Sequence, residues 1–292
     1  MWKAKSFSNP EMTLIVVPTR DYDRTACLDF LASDTLAYEH LDWLSAQERL
    51  FDPLTFALLE DSSIKAVLSL SADVPKTSWI CFFDALRDEN HIVYFNYIYA
   101  QVLTILKSYA IDSVFLLDLR PWMTFLAETL GFTRQDEVIS FAYSPTTIPT
   151  FALPPGISIR SMQPADLPEV LAIDQTCFPP QWQISSRSLA KLQQNGGMHS
   201  VLLLEGQLVA YAMQSTYGAF SHLDRLAVQP TCQTQGYGKT LLINQIQKLL
   251  QTGVVKFTVN TQGSNLPSQR LYQAIGYIKT GFPVPVLGHI IR

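Results

Sequence analysis

Two stretches of this chain, offset by 145 residues, run through the same order of elements, and that echo limits the fold more than any other feature. The first, SVFLLDLRPWMTFLAETLGF, closes at Gly131-Phe132; the second, VVKFTVNTQGSNLPSQRLYQAIGY, closes at Gly276-Tyr277. Each reads as a strand, then a helix, then a glycine-aromatic stop. The beginnings correspond too. Thr13 to Val17 reads as a strand leading through Asp23 into an apolar-periodic helix, as Ile157 to Ile159 leads through Asp166 into Leu167 to Ile173. Between the copies, Ser144 to Gly156 carries Pro145, Pro149, Pro154 and Pro155, each of which fixes φ and removes a backbone donor. We therefore expect a diverged duplication, with domains at 1–144 and 157–292 and a linker at 145–156. Strands and helices alternate in both, so each domain is of α/β class and its ligand belongs at loops beyond the strand ends.

Composition agrees with two domains, since 292 residues at 48% hydrophobic content fill one large core or two ordinary ones. Residues 1–150 hold 11 Lys/Arg against 20 Asp/Glu, whereas residues 151–292 hold 10 against 5. The positive residues of the second half are scattered, without the basic run of a nucleic-acid arm, so no nucleic-acid partner is expected. Glycine is more lopsided still: 12 of 13 follow residue 150, and only Gly131 precedes it. A glycine-dependent site must lie in the second half. Cys27, Cys81, Cys177 and Cys232 show neither metal-ligand spacing nor a paired framework, which predicts no metal and a reducing, cytoplasmic setting. The N-terminal apolar run is too short for a signal peptide and no stretch is long enough to span a bilayer, so no membrane partner is expected.

Residues 222–250, HLDRLAVQPTCQTQGYGKTLLINQIQKLL, predict a strand to Val228, a proline-containing loop, and a helix with Leu242, Ile246, Leu249 and Leu250 on one face; Gly253 is its stop. Gln235-Gly236-Tyr237-Gly238 then lies at a helix mouth. The first amides there have no internal partner, and glycines admit phosphate oxygens without a Cβ in the way. The P-loop pattern matches at Gly238-Lys239-Thr240 but has Gln233 where its first glycine belongs. The dinucleotide fingerprint would start at Gly236 and has bulky Leu241 where a small residue is required. The pattern [Q/R]-x-x-G-x-[G/A] is met in full by Gln233, Gly236 and Gly238.

On these residues the second half resembles the GNAT acyltransferase family. The small apolar triplet Leu226-Ala227-Val228, then Pro230, then Gln233 to Lys239 follow that family's order and spacing. A second signature, N-x-x-A-x-x-L-Y-x-x-x-G-[F/Y], is matched by Asn265, Leu271, Tyr272, Gly276 and Tyr277, with Ser268 where alanine is usual. The resemblance covers roughly residues 157–285 and implies two tandem GNAT-like domains, each a mixed sheet flanked by helices, the first degenerate. It implies acetyl-CoA as acyl donor and a small-molecule or peptide amine as acceptor. Backbone groups of Leu226, Ala227 and Val228 would meet the pantetheine arm, and amides of Gln233, Thr234, Gln235, Gly236, Tyr237, Gly238 and Lys239 the pyrophosphate. Asn265 is read both as a cofactor contact and as a helix cap. A non-catalytic acyl-CoA-binding regulator or scaffold is the alternative.

Acyl transfer to an amine needs a neutral nucleophile, a stabilised oxyanion and a proton for the departing thiolate. Tyr272 stands where the family often has its general acid, and equally where an amphipathic helix packs. For the base, His222 stands where the histone-acetylating branch carries a carboxylate. Asp224, two residues on along the same strand face, is the other candidate. Cys177-Phe178-Pro179-Pro180-Gln181-Trp182 resembles the region that begins the acceptor wall. In the first copy Ala127 falls opposite Tyr272, Arg120 opposite Asn265, and glycine-free HIVYFNY (His91 to Tyr97) opposite the glycine loop. No ordinary CoA site is expected there; residues 1–144 would shape the acceptor groove, their acidity favouring a cationic acceptor. The oligomeric state is not encoded in any motif of the chain.

Overall fold

The computed structural model describes residues 14–40, 43–88, 90–147 and 153–291. The expectations placed on residues 1–13 and on residues 148–152 of the linker fall outside the described residues. In chain order the first half comprises β1 (Leu14–Pro18), α1 (Arg24–Ala32), β2 (Thr35–Glu39), α2 (Ala46–Arg49), β3 (Thr55–Glu60), β4 (Ser63–Leu70), β5 (Thr77–Leu86), α3 (His91–Ser108), β6 (Ser113–Leu117), α4 (Pro121–Thr129) and β7 (Thr133–Tyr143). The second comprises β8 (Ile157–Ser161), α5 (Leu167–Cys177), α6 (Ser186–Gln194), β9 (Met198–Leu204), β10 (Gln207–Tyr217), β11 (Phe220–Val228), α7 (Tyr237–Gln251), β12 (Lys256–Gln262), α8 (Leu266–Ile275) and β13 (Ile278–Ile290). Local chemistry places the helix starts: Asp23 Oδ1 accepts from the Ala26 amide at 2.8 Å, Ser185 Oγ from Ser188 at 2.9 Å and Asn265 Oδ1 from Ser268 at 3.2 Å. No helix among the described residues is long and apolar enough to cross a membrane.

The fold is mixed α/β, as expected, with helices on both faces of the sheet. Tyr94, Phe95 and Ile98 of α3 join Met123 and Leu126 of α4 in one core, while Cys27 and Phe30 of α1 belong to another. In the second half Leu241, Leu242, Ile246 and Leu249 of α7 pack with Tyr272 of α8, and Val170 and Ile173 of α5 with Leu189 and Leu192 of α6. The predicted apolar face of α7 is thus the buried one.

Among the described residues the strands form one continuous sheet, ordered β1-β3-β4-β5-β6-β13-β7-β12-β11-β10-β9-β8, with β2 laid along β5. The duplication shows in the two parallel pairs, β5 with β6 and β11 with β12. The halves also exchange strands: β6 pairs with β13, β12 with β7, and β13 with β7. The proline-rich stretch therefore parts two sequence copies without parting two sheets. Charge complementarity adds to this union: Arg187 of α6 meets Asp52 at 2.6 Å and the Glu48 carbonyl at 2.8 Å, and Lys191 meets the Glu48 carboxylate at 2.6 Å. The Lys191 ammonium is the main reason the Glu48 carboxyl is held down at about 2.

In both parallel pairs the strands pair only at their starts and then splay. β5 pairs with β6 over Thr77 to Trp79, and β11 with β12 over Phe220 to Leu223. In the first half the gap is filled by the chain itself. β2 hydrogen-bonds along Phe82 to Leu86 of β5, and the buried Tyr38 hydroxyl donates to the Leu117 carbonyl at 3.2 Å and accepts from the Leu117 amide at 3.1 Å on the far side. In the second half β11 runs on to Val228 and β12 to Gln262, and among the described residues no strand lies between them.

Candidate active site

The open wedge begins at a bulge. Gln214 pairs with Leu223 and Met213 with Arg225, which leaves Asp224 as the extra residue on β11. Its Oδ2 accepts from the Ser215 amide at 2.7 Å and the Ser215 hydroxyl at 2.8 Å, and its Oδ1 faces Trp43 Nε1 at 3.5 Å. Beyond the bulge, Arg225 to Val228 pair with β10 alone, and the Gln229 amide donates to the Val209 carbonyl at 2.8 Å. Backbone alternation then turns the N–H and C=O groups of Leu226 and Val228 toward the wedge, and those of Ala227 toward β10. The Val228 carbonyl is already engaged by Gln233 Nε2 and the Cys177 thiol, both at 3.1 Å.

The loop after β11 presents a row of amides. Thr234 (φ +64°) and Gly236 (φ +85°) lie in the left-handed region, and among the described residues the amides of Thr234 to Lys239 meet no acceptor. The first paired amide is that of Thr240, which donates to the Gly236 carbonyl at 2.9 Å. Such alternation with a helix dipole behind it makes an anion nest, and Lys239 adds a positive charge. A Cβ on Gly238 would lie 3.4 Å from Val228 and 3.6 Å from Leu271, in the gap between the helix mouth, the strand end and α8. These features fit a pyrophosphate with an arm running into the wedge. The helix mouth is held rigidly: buried Gln245 donates to the Met198 and Ala212 carbonyls, both at 3.0 Å, and accepts from Gln214 Nε2 at 2.9 Å.

His222, Asp224, Leu226, Asn265 and Tyr272 line one cleft of about 610 Å³, whereas Gln233 to Lys239 lie outside its lining, at the mouth of α7. His222 Nδ1 lies 2.8 Å from Thr258 Oγ1, whose own proton goes to the Ser221 carbonyl at 3.3 Å. That assigns the ring proton to Nδ1 and leaves the Nε2 lone pair as the basic site. Burial pushes the His222 pKa down, and nearby Asp224 opposes it. Tyr272 is buried against Phe141 and Tyr277, yet also lines the cleft. Burial raises its phenol to about 12, partly offset by Ser268 and Arg225. Tyr272 is therefore both part of the core packing and part of the cleft lining. Asn265 caps α8 and also donates to Gln262 Oε1 at 3.3 Å.

Sequence reasoning missed the buried ion pair that shapes the acceptor side. Asp174, with no exposed surface, accepts from Arg225 Nε at 3.0 Å and from Arg225 Nη2, from the Tyr211 hydroxyl, and through its other oxygen from the Ile184 amide at 2.8 Å. Arg225 also donates to the Trp182 carbonyl at 3.0 Å and lies over the Phe178 ring, 4.1 Å from its centroid. The Cys177 to Trp182 wall is thus fastened to the residue beside Asp224. The one signal in the sequence was a carboxylate inside the apolar stripe of α5, one position after Ile173 and four after Val170. The other side of the cleft comes from the first half, through His40, Trp43, Asp73 and Trp79.

A row of unpaired amides at a helix mouth, an open strand edge and a cleft lined by His222, Asp224 and Tyr272 are the arrangement that acyl transfer from a phosphate-bearing carrier to an amine would use. The family model of the acetyltransferase (GNAT) family matches residues 167–277. The [Ribosomal protein bS18]-alanine N-acetyltransferase of Escherichia coli strain K12 is 28% identical over 120 residues, covering 41% of this chain and 80% of that protein. The mycothiol acetyltransferase of Saccharomonospora viridis is 25% identical over 172 residues, 52% of this chain and 56% of that one. A tandem GNAT protein from the clavulanic acid biosynthesis pathway shares the fold over 97% of this chain and 99% of its own, with a TM-score of 0.59 at 11% identity. Residues 167–277 thus form a domain of the GNAT family, and the named N-acetyltransferases among the relatives mark the chain as an N-acetyltransferase.

Proposed function

We propose that the protein transfers an acetyl group from acetyl-CoA to the primary amine of a small molecule or peptide by direct attack, with the catalytic machinery in residues 157–292 and residues 1–144 forming the far wall of the acceptor groove. The observation that carries this reading is that the open β11–β12 wedge joins the amide nest at one end to the cleft of His222, Asp224 and Tyr272 at the other. Acetyl-CoA, when bound, supplies the thioester. Amides of Thr234 to Lys239 hold its phosphates, and the inward backbone groups of Leu226 and Val228 meet its arm and polarise the carbonyl. His222 Nε2 takes the amine proton as the N–C bond forms, directly or through water. Asp224, fixed by Ser215, attracts the incoming ammonium, which gives up one proton to water before the neutral amine attacks, and stabilises the imidazolium formed when His222 takes the second. Tyr272 gives its hydroxyl proton to the sulfur as the C–S bond breaks. Asn265 fixes the start of the helix that carries Tyr272. The unpaired cysteines fit a reducing cytoplasm.

The test is titration calorimetry of the whole chain with acetyl-CoA, with ATP and Mg²⁺ as control. Binding of acetyl-CoA alone, weakened about tenfold or more by Gly236→Val, is expected, because a β-branched residue resists the φ of +85° that forms the nest. No acetyl-CoA binding, or unchanged binding in the variant, would overturn the assignment.

A further inference from the structure

The acceptor side of the cleft is a wall of ring faces in which the indole N–H of Trp79 and the carbonyls of Phe178, Gln181 and Trp182 are already engaged. Trp79 of β5 stacks on His40 with centroids 4.8 Å apart and planes at 28°, and meets Trp182 at 5.2 Å. Its Nε1 donates to the Gln181 carbonyl at 2.7 Å, so its remaining surface is apolar ring. The neighbouring carbonyls are occupied as well: that of Trp182 by Arg225, and that of Phe178 by Gln183 Nε2 at 3.0 Å. A peptide entering here would find few partners for its own backbone, and unmatched amides are costly to bury. A planar apolar body would find stacking surfaces.

Charge narrows the choice further. Both guanidinium groups in the lining are compensated: Arg49 lies 3.2 Å from Asp73 and 3.5 Å from Asp52, and Arg225 is paired with Asp174. An acceptor bearing a carboxylate or phosphate would therefore meet Asp224 with, among the described residues of the lining, no arginine or lysine that lacks a carboxylate partner. An ammonium would meet the Asp224 carboxylate and the indole faces of Trp43 and Trp79, which attract cations. A cleft of about 610 Å³ has the size of a small-molecule site.

We infer that the acceptor is a compact cationic amine in which the primary amino group sits on a short arm from a flat, uncharged ring, and that Trp79, contributed by the first half, is the residue that selects it. The inference rests on the acetyltransferase reading above. The ring stacks in the Trp79–Trp182 wall and the arm directs the nitrogen past Asp224 to His222. Trp79 acts here as a specificity residue and takes no part in proton transfer.

The experiment measures thiol release from acetyl-CoA by the full chain with tryptamine, glutamate and an alanine-initiated hexapeptide as acceptors, alongside calorimetry with acetyl-CoA. Tryptamine is expected to exceed both others at least about tenfold in kcat/KM. Trp79→Leu should raise the tryptamine KM about tenfold, leaving kcat within about twofold and acetyl-CoA affinity unchanged. Tyr217→Ala, at a rim residue 68% exposed and hence without folding consequence, should raise the same KM by a smaller factor. Acetyl-CoA binding with turnover equal or better for the peptide or glutamate, or with a Trp79→Leu KM that does not move, would overturn the inference while leaving the acetyltransferase reading in place; binding with no amine turned over would overturn both. Failure to bind acetyl-CoA would bring down the functional reading and this inference with it.

Discussion

The hydroxyl of Tyr38 lies between the amide and the carbonyl of Leu117, 3.1 Å from one and 3.2 Å from the other, and so bridges the gap between β2 and β6. The gap between β5 and β6 that β2 fills corresponds to the wedge left open between β11 and β12. The first half has therefore closed the equivalent gap with its own chain, and Tyr38 is completely buried there.

One molecule of acetyl-CoA should bind per chain, read from the calorimetric stoichiometry. Two would mean that β2 leaves the wedge on binding. Tyr38→Phe should cost about 1–3 kcal/mol of stability in denaturant unfolding, since it strands the buried Leu117 amide.

Tyr272→Phe should lower kcat about a hundredfold while acetyl-CoA affinity stays within about twofold. The pH profile follows from the two shifts. Burial disfavours the His222 imidazolium, so its acid limb should fall below the ordinary value of 6.5 and move or vanish in His222→Ala. Tyr272, raised to about 12, stays protonated throughout the assay range and should impose no basic limb below about pH 11. A Tyr272→Phe enzyme with full kcat would remove the phenol from the mechanism.

Asp174→Ala should destabilise the chain by about 3–5 kcal/mol, because it leaves Arg225 buried without its carboxylate. Asp174→Ala with Arg225→Met should recover much of that loss. Thermal or urea unfolding of the two variants decides it, and a single variant as stable as the parent would contradict the buried-pair account.

Residues 157–292 produced alone should aggregate, since β12 and β13 would lose β7, and β13 would lose β6 as well. Co-production with residues 1–156 should restore a soluble, folded pair, judged by size-exclusion chromatography and circular dichroism. A monodisperse, folded fragment would show that the exchanged strands are dispensable.

The helix ends and the glycine loop at the mouth of α7 were legible in sequence because their causes are local. Asp23 and Asn265 bond amides three residues on, Gly236 has the backbone freedom its φ of +85° needs, and the apolar stripe of α7 repeats with the helical period. The glycine distribution pointed to the second half, where the loop before α7 has its left-handed residues, and the resemblance singled out the segment Cys177 to Trp182, of which Phe178 and Trp182 line the cleft. Asp174 was passed over as one of a few carboxylates, because its pairing with Arg225 spans 51 residues.

What the sequence determined by itself is therefore the kind of chain this is: a duplicated α/β protein with one equipped glycine loop and a tyrosine on the helix after the fifth strand of the second copy. Only the tertiary structure decided that the copies exchange their last strands, that β2 closes the first wedge, and that Trp79 of one half lines the same cleft as His222, Asp224 and Tyr272 of the other. Strand pairing is made by backbone groups common to every residue, so its partners are chosen by packing and register across the whole sheet and leave little trace in local pattern.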